Sequence, residues 1–328
     1  MEQLLAAVNR AYGLNADQIK PLHSVWRITS PKGLFILKKM NCSPERLYWL
    51  QQQLSQLAAA GFHSLVPVLP TGNDEPFIVF QNQLFIVTPW QSGNNPLFNN
   101  LNHLKKAAEF WGKLHSVAQH LTPSSDEPVR NHLADFKTKS RFLENLLTKL
   151  NSQKEPNRID RAILKWGEYY LKQASLSMDY LQGQGYERWL QTAQRGFCHN
   201  DPAPRNIIIQ NKNWFLIDFE LSGTNLFLDE YALLIGRVLR ANQWNPALVA
   251  PLSEVYVEQR SAAWDELRFL PGLLCFPRSF WRFCCQRFTE GLEWTEKHYQ
   301  SRLWEITQQE EPQRLKFLQH WFGELTGK

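Results

Sequence analysis

Cysteine is scarce in this chain of 328 residues: Cys42, Cys198, Cys275, Cys284 and Cys285, odd in number, irregularly spaced and without a CxxC pair. Neither a disulfide framework nor a zinc knuckle is expected from that pattern. Cys284 and Cys285 are adjacent and read as small packing residues. Long apolar runs are missing as well. None approaches the roughly 18 residues a membrane span needs, so no membrane partner is expected. The opening MEQLLAAVNRAYGL has no basic stretch followed by an apolar one, and no secretory signal is expected there. A soluble, reducing, cytoplasmic setting is the resulting expectation. Internal repeats and low-complexity tracts are lacking too.

Runs of one charge are also absent. The formal net charge is +5, yet no stretch holds five consecutive basic residues, so nucleic acid is not an expected partner. The excess is uneven: residues 1–150 hold 15 Lys/Arg against 10 Asp/Glu, whereas residues 151–328 hold 21 of each. A basic first half suits a small phosphate-rich ligand. Hydrophobic residues make up 43% of the chain and aromatics 13%, ample material for a packed core.

Along the chain the texture changes once near residues 90–95. Residues 1–12 read as a short amphipathic helix ended by Gly13. LHSVWRIT and LFILKK flank the turn signal SPKG and predict a hairpin. Ser43 as N-cap, Pro44 at the first helical position and Gly61 past the end bracket a helix. Its leucines 47, 50, 54 and 57 fall on one face. EPFIVFQNQLFIVTPW predicts a second hairpin turning near Gln81 and Asn82. Residues 101–120, 134–152 and 158–182 read as helices, with the polar loop TPSSDEPVRN between the first two. NIIIQ and WFLIDF are strand-like around the turn NKN, and from about 229 to 325 the chain is helical again. The expected organisation is α+β with two lobes: a small β-rich N-lobe with one main helix over 1–92, and a larger, mostly helical C-lobe over 93–328.

The stretch FCHNDPAPRNIIIQNKNWFLIDFE, residues 197–220, concentrates polar groups among segments ready for burial. Pro202 and Pro204 argue against a helix through the loop that carries Asp201 and Asn206. Asp218 ends the second strand of the hairpin that follows. The loop before the first strand and the end of the second lie side by side, so Asp201, Asn206 and Asp218 are expected to converge. A carboxylate and an amide oxygen there can hold a hard cation such as Mg²⁺. The second carboxylate would orient a substrate hydroxyl and accept its proton, a division of labour that suits phosphoryl transfer. Each residue alone could simply cap a turn; the joint spacing argues for chemistry.

HNDPAPRN followed by LIDFE resembles the catalytic loop and metal motif of the aminoglycoside phosphotransferase-like kinases, distant relatives of protein kinases. LFILKK, LVPVLPT, LFIVTPWQSG, LHS at 114–116 and FPRSFWR at 276–282 resemble the branch containing spore-coat-associated kinases. CHND with IDFELSGTN also resembles choline/ethanolamine-type kinases. The resemblance spans roughly 25–290 and implies a protein-kinase-like fold. It further implies an ATP- and Mg²⁺-dependent transfer of the γ-phosphate to a hydroxyl of a small-molecule acceptor.

By that resemblance Asp201 is the catalytic base, His199 braces the loop, and Asn206 and Asp218 hold Mg²⁺. Glu220 stands where a glycine would follow the metal motif, and it offers either a second metal contact or a solvated charge. Asp229 would cap the next helix and steady the catalytic loop. Lys38 fits the strand lysine that holds the α- and β-phosphates, and is preferred over Lys39 because strand side chains alternate. Thr88 and Trp90 mark the strand end whose backbone would meet the adenine edge. Two departures stand out. No Gly-rich loop is visible in LHSVWRIT. The only acid on the helix after Lys38 is Glu45 in its first turn, so either Glu45 reaches Lys38 or one of Gln51–Gln53 replaces the ion pair. Arg278 and Arg282 lie four apart in FPRSFWRFCCQRF, as a pocket wall or as the rim of a core helix. A catalytically weak nucleotide-binding or structural interaction protein on the same fold is the alternative.

Overall fold

The structure, a computed structural model, describes residues 1–121 and 130–323. The expected loop TPSSDEPVRN falls mostly outside them. The chain forms two compact units. The first comprises Met1–Leu97, Lys113–Pro123 and Gly196–Thr224, and the second Phe98–Gly112, Ser124–Arg195 and Asn225–Lys328. The first unit thus contains the N-terminal residues and, with them, the whole polar stretch around Asp201 and Asp218.

The first unit begins with helix α1 (Glu2–Tyr12), closed by Gly13 in the left-handed conformation at φ 59°. An antiparallel sheet follows, in the order β1-β2-β3-β5-β4, with β1 Gln18–Leu22, β2 Val25–Ser30, β3 Gly33–Met40, β4 Ile78–Phe80 and β5 Gln83–Pro89. β2 and β3 form the expected hairpin. LHSVWRIT is not one continuous run, however: the chain turns at His23, φ 53°, and Leu22 pairs back on Val25. At the β4–β5 turn Gln81 and Asn82 both take positive φ, 49° and 57°, the conformation whose twist matches a two-residue hairpin.

Helix α2 (Pro44–Ala59) is capped by the Ser43 side chain, which accepts from the Arg46 amide. It buries Leu47, Leu50, Leu54 and Leu57. Each buried leucine contributes on the order of 2 kcal/mol by removal of apolar surface from water.

Alternation along β3 divides its side chains between two environments. Phe35 and Leu37 pack with Phe85 and Val87 of β5, with Val8 of α1, and with Ile28. Ile36, Lys38 and Met40 face a cavity on the other side, with Ile86 and Thr88. A lysine in this strand therefore reaches the cavity only at even positions, which excludes Lys39.

The unit is completed by the end of β6 (Arg195–Cys198) and by a hairpin of β7 (Ile207–Gln210) and β8 (Asn213–Leu216). Asn211 and Lys212 turn the hairpin at φ 48° and 68°. β8 is tied to the segment before it in the fold by a bridge between Leu65 and Leu216. β7 is tied by Asn94, which exchanges backbone hydrogen bonds with Ile209 at 3.1 and 2.7 Å. The residue before it must be glycine: Gly93 has φ 149°, and a Cβ there would lie 2.2 Å from the Ile209 carbonyl oxygen.

The second unit is predominantly helical. α3 (Leu101–Ala118) is shared between the two segments. α4 (His132–Asn151), α5 (Arg158–Gly183), α6 (Tyr186–Leu190), α7 (Phe227–Ala241), α8 (Val249–Gln259), α9 (Trp264–Leu267), α10 (Leu270–Cys275), α11 (Arg278–Phe288), α12 (Glu296–Trp304) and α13 (Glu311–Phe322) complete it; the short strand β9 (Gly223–Leu226), before α7, is divided between the two units. One core cluster joins α4, α5, α11 and α12 through Leu143, Ile163, Tyr170, Phe280 and Leu303. Stacked rings fasten it: Tyr170 on Phe280 at 4.2 Å and Phe136 on Phe276 at 4.0 Å. α11 is thus a core helix, with Phe280, Phe283 and Cys284 buried. Arg282 sits at its exposed rim on Glu290, 2.6 Å away. Among the described residues no helix is long and apolar enough to cross a membrane.

Candidate active site

The cavity behind β3 has a volume of about 330 Å³, within the size range of small-molecule and cofactor sites. Its walls are aliphatic: Val25, Ile36, Leu50, Val68, Ile86 and Ile208 among them. Charge is confined to one end, where Lys38, Asp218 and Glu220 stand together. The Lys38 ammonium lies 2.5 Å from Asp218 Oδ1 and 2.8 Å from Glu220 Oε2. Burial acts to depress the lysine pKa, but hydrogen bonds and charge from Asp218 and Glu220 together outweigh it and raise the pKa above its ordinary value. Lys38 is a cation throughout the physiological range.

The loop after β6 carries its polar groups on a frame of specific contacts. Asn200 takes φ 63°, a left-handed conformation that asparagine tolerates far better than most residues. Its amide donates to the Leu221 carbonyl at 3.0 Å. His199 is buried. Its Nδ1 accepts from the Asp201 amide at 3.3 Å and its Nε2 contacts the Ile217 carbonyl at 2.9 Å. A carbonyl can only accept, so Nε2 carries the proton and the imidazole is neutral with both nitrogens used. His199 therefore joins the loop after β6 to the end of β8.

Asp201 is 7% exposed. Its Oδ2 accepts from Arg205 Nη2 at 2.6 Å and from Asn206 Nδ2 at 2.8 Å, which sets the plane of the carboxylate. The Asn206 amide nitrogen also donates to the Asp201 carbonyl at 3.0 Å. Both amide protons of Asn206 are thereby spent on Asp201, and its oxygen is the atom left for a cation. Asp218 lies across the hairpin base, where the Ile217 amide donates to the Asn206 carbonyl at 3.0 Å. Asp218 is held at φ 65°, ψ 69°, a strained backbone for a non-glycine residue and a frequent feature of functional sites. Its side chain is 43% exposed. An amide oxygen and a carboxylate with a spare oxygen, both hard donors, form the kind of partial ligand set that Mg²⁺ accepts before water and phosphate complete it.

Not every residue singled out in the sequence comes to the cavity. Glu45 stays in the first turn of α2, fully exposed, and a hydrogen bond with Ser43 lowers its pKa. Gln53 is buried and bonds Gln56 along its own helix. Neither partners Lys38. The acids that do are Asp218 and Glu220, 180 and 182 positions away in sequence, pairings no local pattern could indicate. Thr88 and Trp90 line the cavity with Gln91. The Trp90 amide already donates to the Leu34 carbonyl at 2.9 Å, and Pro89 has no N–H. The Gln91 amide is the next donor along this edge. Ser24 of the β1–β2 turn and Val25 at the start of β2 also line the cavity, at the position in the chain where a Gly-rich loop would stand. A tight two-residue turn at His23 makes the glycines unnecessary.

Asp229 belongs to the helical unit. It lies in the first turn of α7, yet its carboxylate is not the helix cap. Oδ1 instead meets His132 Nε2 at 2.6 Å, both residues being buried. His132 carries no sequence signal beyond its place just after the Asn131 cap of α4.

Residues 21–270 match a family described as "Phosphotransferase enzyme family". Spore coat protein S of Bacillus subtilis (strain 168) is 20% identical over 293 residues, covering 84% of this chain and 83% of its own. The crystal structure of an aminoglycoside phosphotransferase from Alicyclobacillus acidocaldarius subsp. acidocaldarius DSM 446 is similar with a TM-score of 0.83 at 20% identity, over 96% of this chain and 94% of that one. The amicoumacin kinase hAmiN, in complex with AMP-PNP, Ca²⁺ and amicoumacin, is similar with a TM-score of 0.62 at 15% identity, over 93% and 92%. These likenesses show the kinase-like α+β fold, with a β-sheet N-terminal lobe and a larger, mostly helical remainder.

Proposed function

The chain belongs to the phosphotransferase enzyme family, and we propose on that footing that it moves the γ-phosphate of ATP, with Mg²⁺, to a hydroxyl of a small-molecule acceptor. The observation that carries this reading is the convergence of Lys38, Asp218 and Glu220 at the charged end of an otherwise aliphatic cavity. A flat base fits between aliphatic walls, and the polyphosphate then meets the charged end. The amicoumacin kinase, with its bound AMP-PNP and Ca²⁺, supports nucleotide use on this fold.

In this reading the Gln91 amide donates to the base edge, beside Thr88 and Trp90. Lys38 exchanges part of its contact with Asp218 for the α- and β-phosphates, and Glu220 keeps it in place. Asn206 Oδ1 and the Asp218 carboxylate would hold Mg²⁺, whose charge offsets that of the phosphates in the transition state. Asp201, aligned by Arg205 and Asn206, orients the acceptor hydroxyl and takes its proton. His199 stays neutral and keeps the loop against β8.

Calorimetric titration with ATP, with and without Mg²⁺, tests the reading, followed by phosphate transfer to a panel of hydroxyl metabolites. Mg²⁺-dependent binding that disappears in Asp218→Ala is expected, as is turnover that disappears in Asp201→Asn with binding retained. Equally tight Mg-ATP binding by Asp218→Ala would remove the metal assignment. Binding without any turnover would favour the second reading, a nucleotide-binding interaction protein, which the lack of an α2 acid beside Lys38 also favours.

A further inference from the structure

A second cavity lies wholly within the helical unit, small at about 50 Å³ and lined by Arg240, Arg278, Arg314, Glu310 and Glu311. Its charges divide into two kinds. Arg314 and Glu311 complete each other: Arg314 Nη1 lies 3.3 Å from Glu311 Oε2 and also donates to Gln173, while Glu311 accepts from Tyr169 and Gln173 at 2.8 and 2.6 Å. Arg278 is different. Among the described residues no carboxylate is within ion-pair distance of its guanidinium, which lies 5.6 Å from the centre of the Phe136 ring. Burial and the charge of Arg130 hold its pKa down to about 10. It remains a partly exposed cation, on which the Asp229 and Asp135 carboxylates act only from beyond ion-pair distance.

Three further features converge on the same spot. Arg278 is the first residue of α11, an 11-residue helix with no side-chain cap and no acid in its first turn. The amides of that turn add positive potential to the guanidinium. Arg240, half-exposed, comes only to 4.0 Å from Glu310, which instead accepts from Ser279 Oγ at 3.1 Å. Gly236 of α7 lines the cavity, and a Cβ there would meet Leu274 at an ordinary 3.5 Å. Packing does not require that glycine, and in a helix interior it costs about 1 kcal/mol relative to alanine. A larger side chain there would extend toward Leu274 and Arg240, both of which line the cavity.

We propose that this cavity is a binding site for the oxyanionic group, phosphate or carboxylate, of a small acidic ligand, with Arg278 as its principal contact and Arg240 as a second. The volume admits one such group, since a single water needs about 10–15 Å³ by the same kind of measure. Glu310 limits the affinity by occupying part of the same field. The site shares no residue with the nucleotide cavity, so the proposal stands or falls separately from the phosphotransfer reading.

Titration of the full-length protein with inorganic phosphate and, separately, with malonate in a chloride buffer tests it. Both titrations are repeated with Lys38→Met to remove anion binding at the nucleotide cavity. Saturable binding that survives Lys38→Met is expected. Arg278→Gln should weaken it by about tenfold or more, the loss typical of a charge-assisted contact. Gly236→Val should weaken it by filling the cavity, and Glu310→Gln should tighten it several-fold. Preference for phosphate would identify a phosphate monoester as the ligand class, and preference for malonate a carboxylate; either supports the site. Absence of saturable binding in the parent and Lys38→Met proteins overturns the proposal. So does binding that is indifferent to both Arg278→Gln and Gly236→Val while circular dichroism shows the variants folded.

Discussion

The ion cluster at Lys38 and the pair at Arg260 are built from the same chemistry and finished differently. In the helical unit Arg260 meets Glu266 through two parallel hydrogen bonds of 2.9 and 2.6 Å, and a third bond reaches Gln194 at 2.6 Å. Both Glu266 oxygens are taken, and the two side chains are essentially excluded from water, at 0% and 5% exposure. In the sheet unit, Lys38 touches one oxygen each of Asp218 and Glu220, whose side chains remain 43% and 37% exposed. The Asn206 oxygen beside them accepts nothing from the protein among the described contacts. A structural pair closes on itself because any unmet charge in the interior is expensive. A site meant to receive a ligand keeps coordination in reserve and accepts partial exposure as the cost.

The comparison is broken most sharply at Asp201. Asp201→Asn keeps the shape of the loop but removes the carboxylate proposed as the proton acceptor. Transfer to the acceptor should fall by about 10²–10⁴-fold, with nucleotide affinity unchanged, read by single-turnover assays beside calorimetry. Next comes Arg260→Met, which strands Glu266 and should cost about 3–5 kcal/mol in urea unfolding. The double variant Arg260→Met/Glu266→Leu should recover most of that loss. Failure to recover would mean that the pair contributes more than mutual neutralisation.

A third test concerns pH. Burial holds the His132 pKa below its ordinary 6.5, despite Asp229. The unfolded imidazole takes up a proton near pH 6.5 and the folded one only at lower pH. Stability is therefore full above 6.5 and declines as pH falls from there through the folded pKa, where it levels off. Thermal melts from pH 8 to 5 should show that slope, and His132→Gln should flatten it. The smallest effect belongs to the half-exposed Glu220. Glu220→Gln should weaken Mg-ATP binding by a few-fold, no more than about 1 kcal/mol for a solvent-screened pair, because Asp218 still holds Lys38. A larger loss would indicate that Glu220 itself touches the cation.

Much of this was legible locally. The β2–β3 and β4–β5 hairpins follow from short-range turn chemistry at Pro31–Gly33 and at Gln81–Asn82. The α2 boundaries follow from Ser43 and Pro44, and the choice of Lys38 over Lys39 follows from the two-residue period of a strand. β1 was hidden because QIKPL contains a proline and alternates poorly; only its pairing with β2 makes it a strand, on an edge that tolerates Pro21. The acid partners of Lys38, the pairing of Asp229 with His132 and the lack of a direct ion-pair partner for Arg278 were not legible.

What the sequence by itself determined is therefore everything carried by interactions a few residues long: the helices, the hairpins, the loop that sets Asp201 and Asn206 five apart, and the family to which that spacing belongs. Tertiary structure decided which charges are closed and which are left open. That decision depends on residues such as Lys38 and Glu220, or Arg278 and the carboxylates that do not reach it, brought together or kept apart by packing. Side-chain electrostatics act over ångströms in space and take no account of separation along the chain.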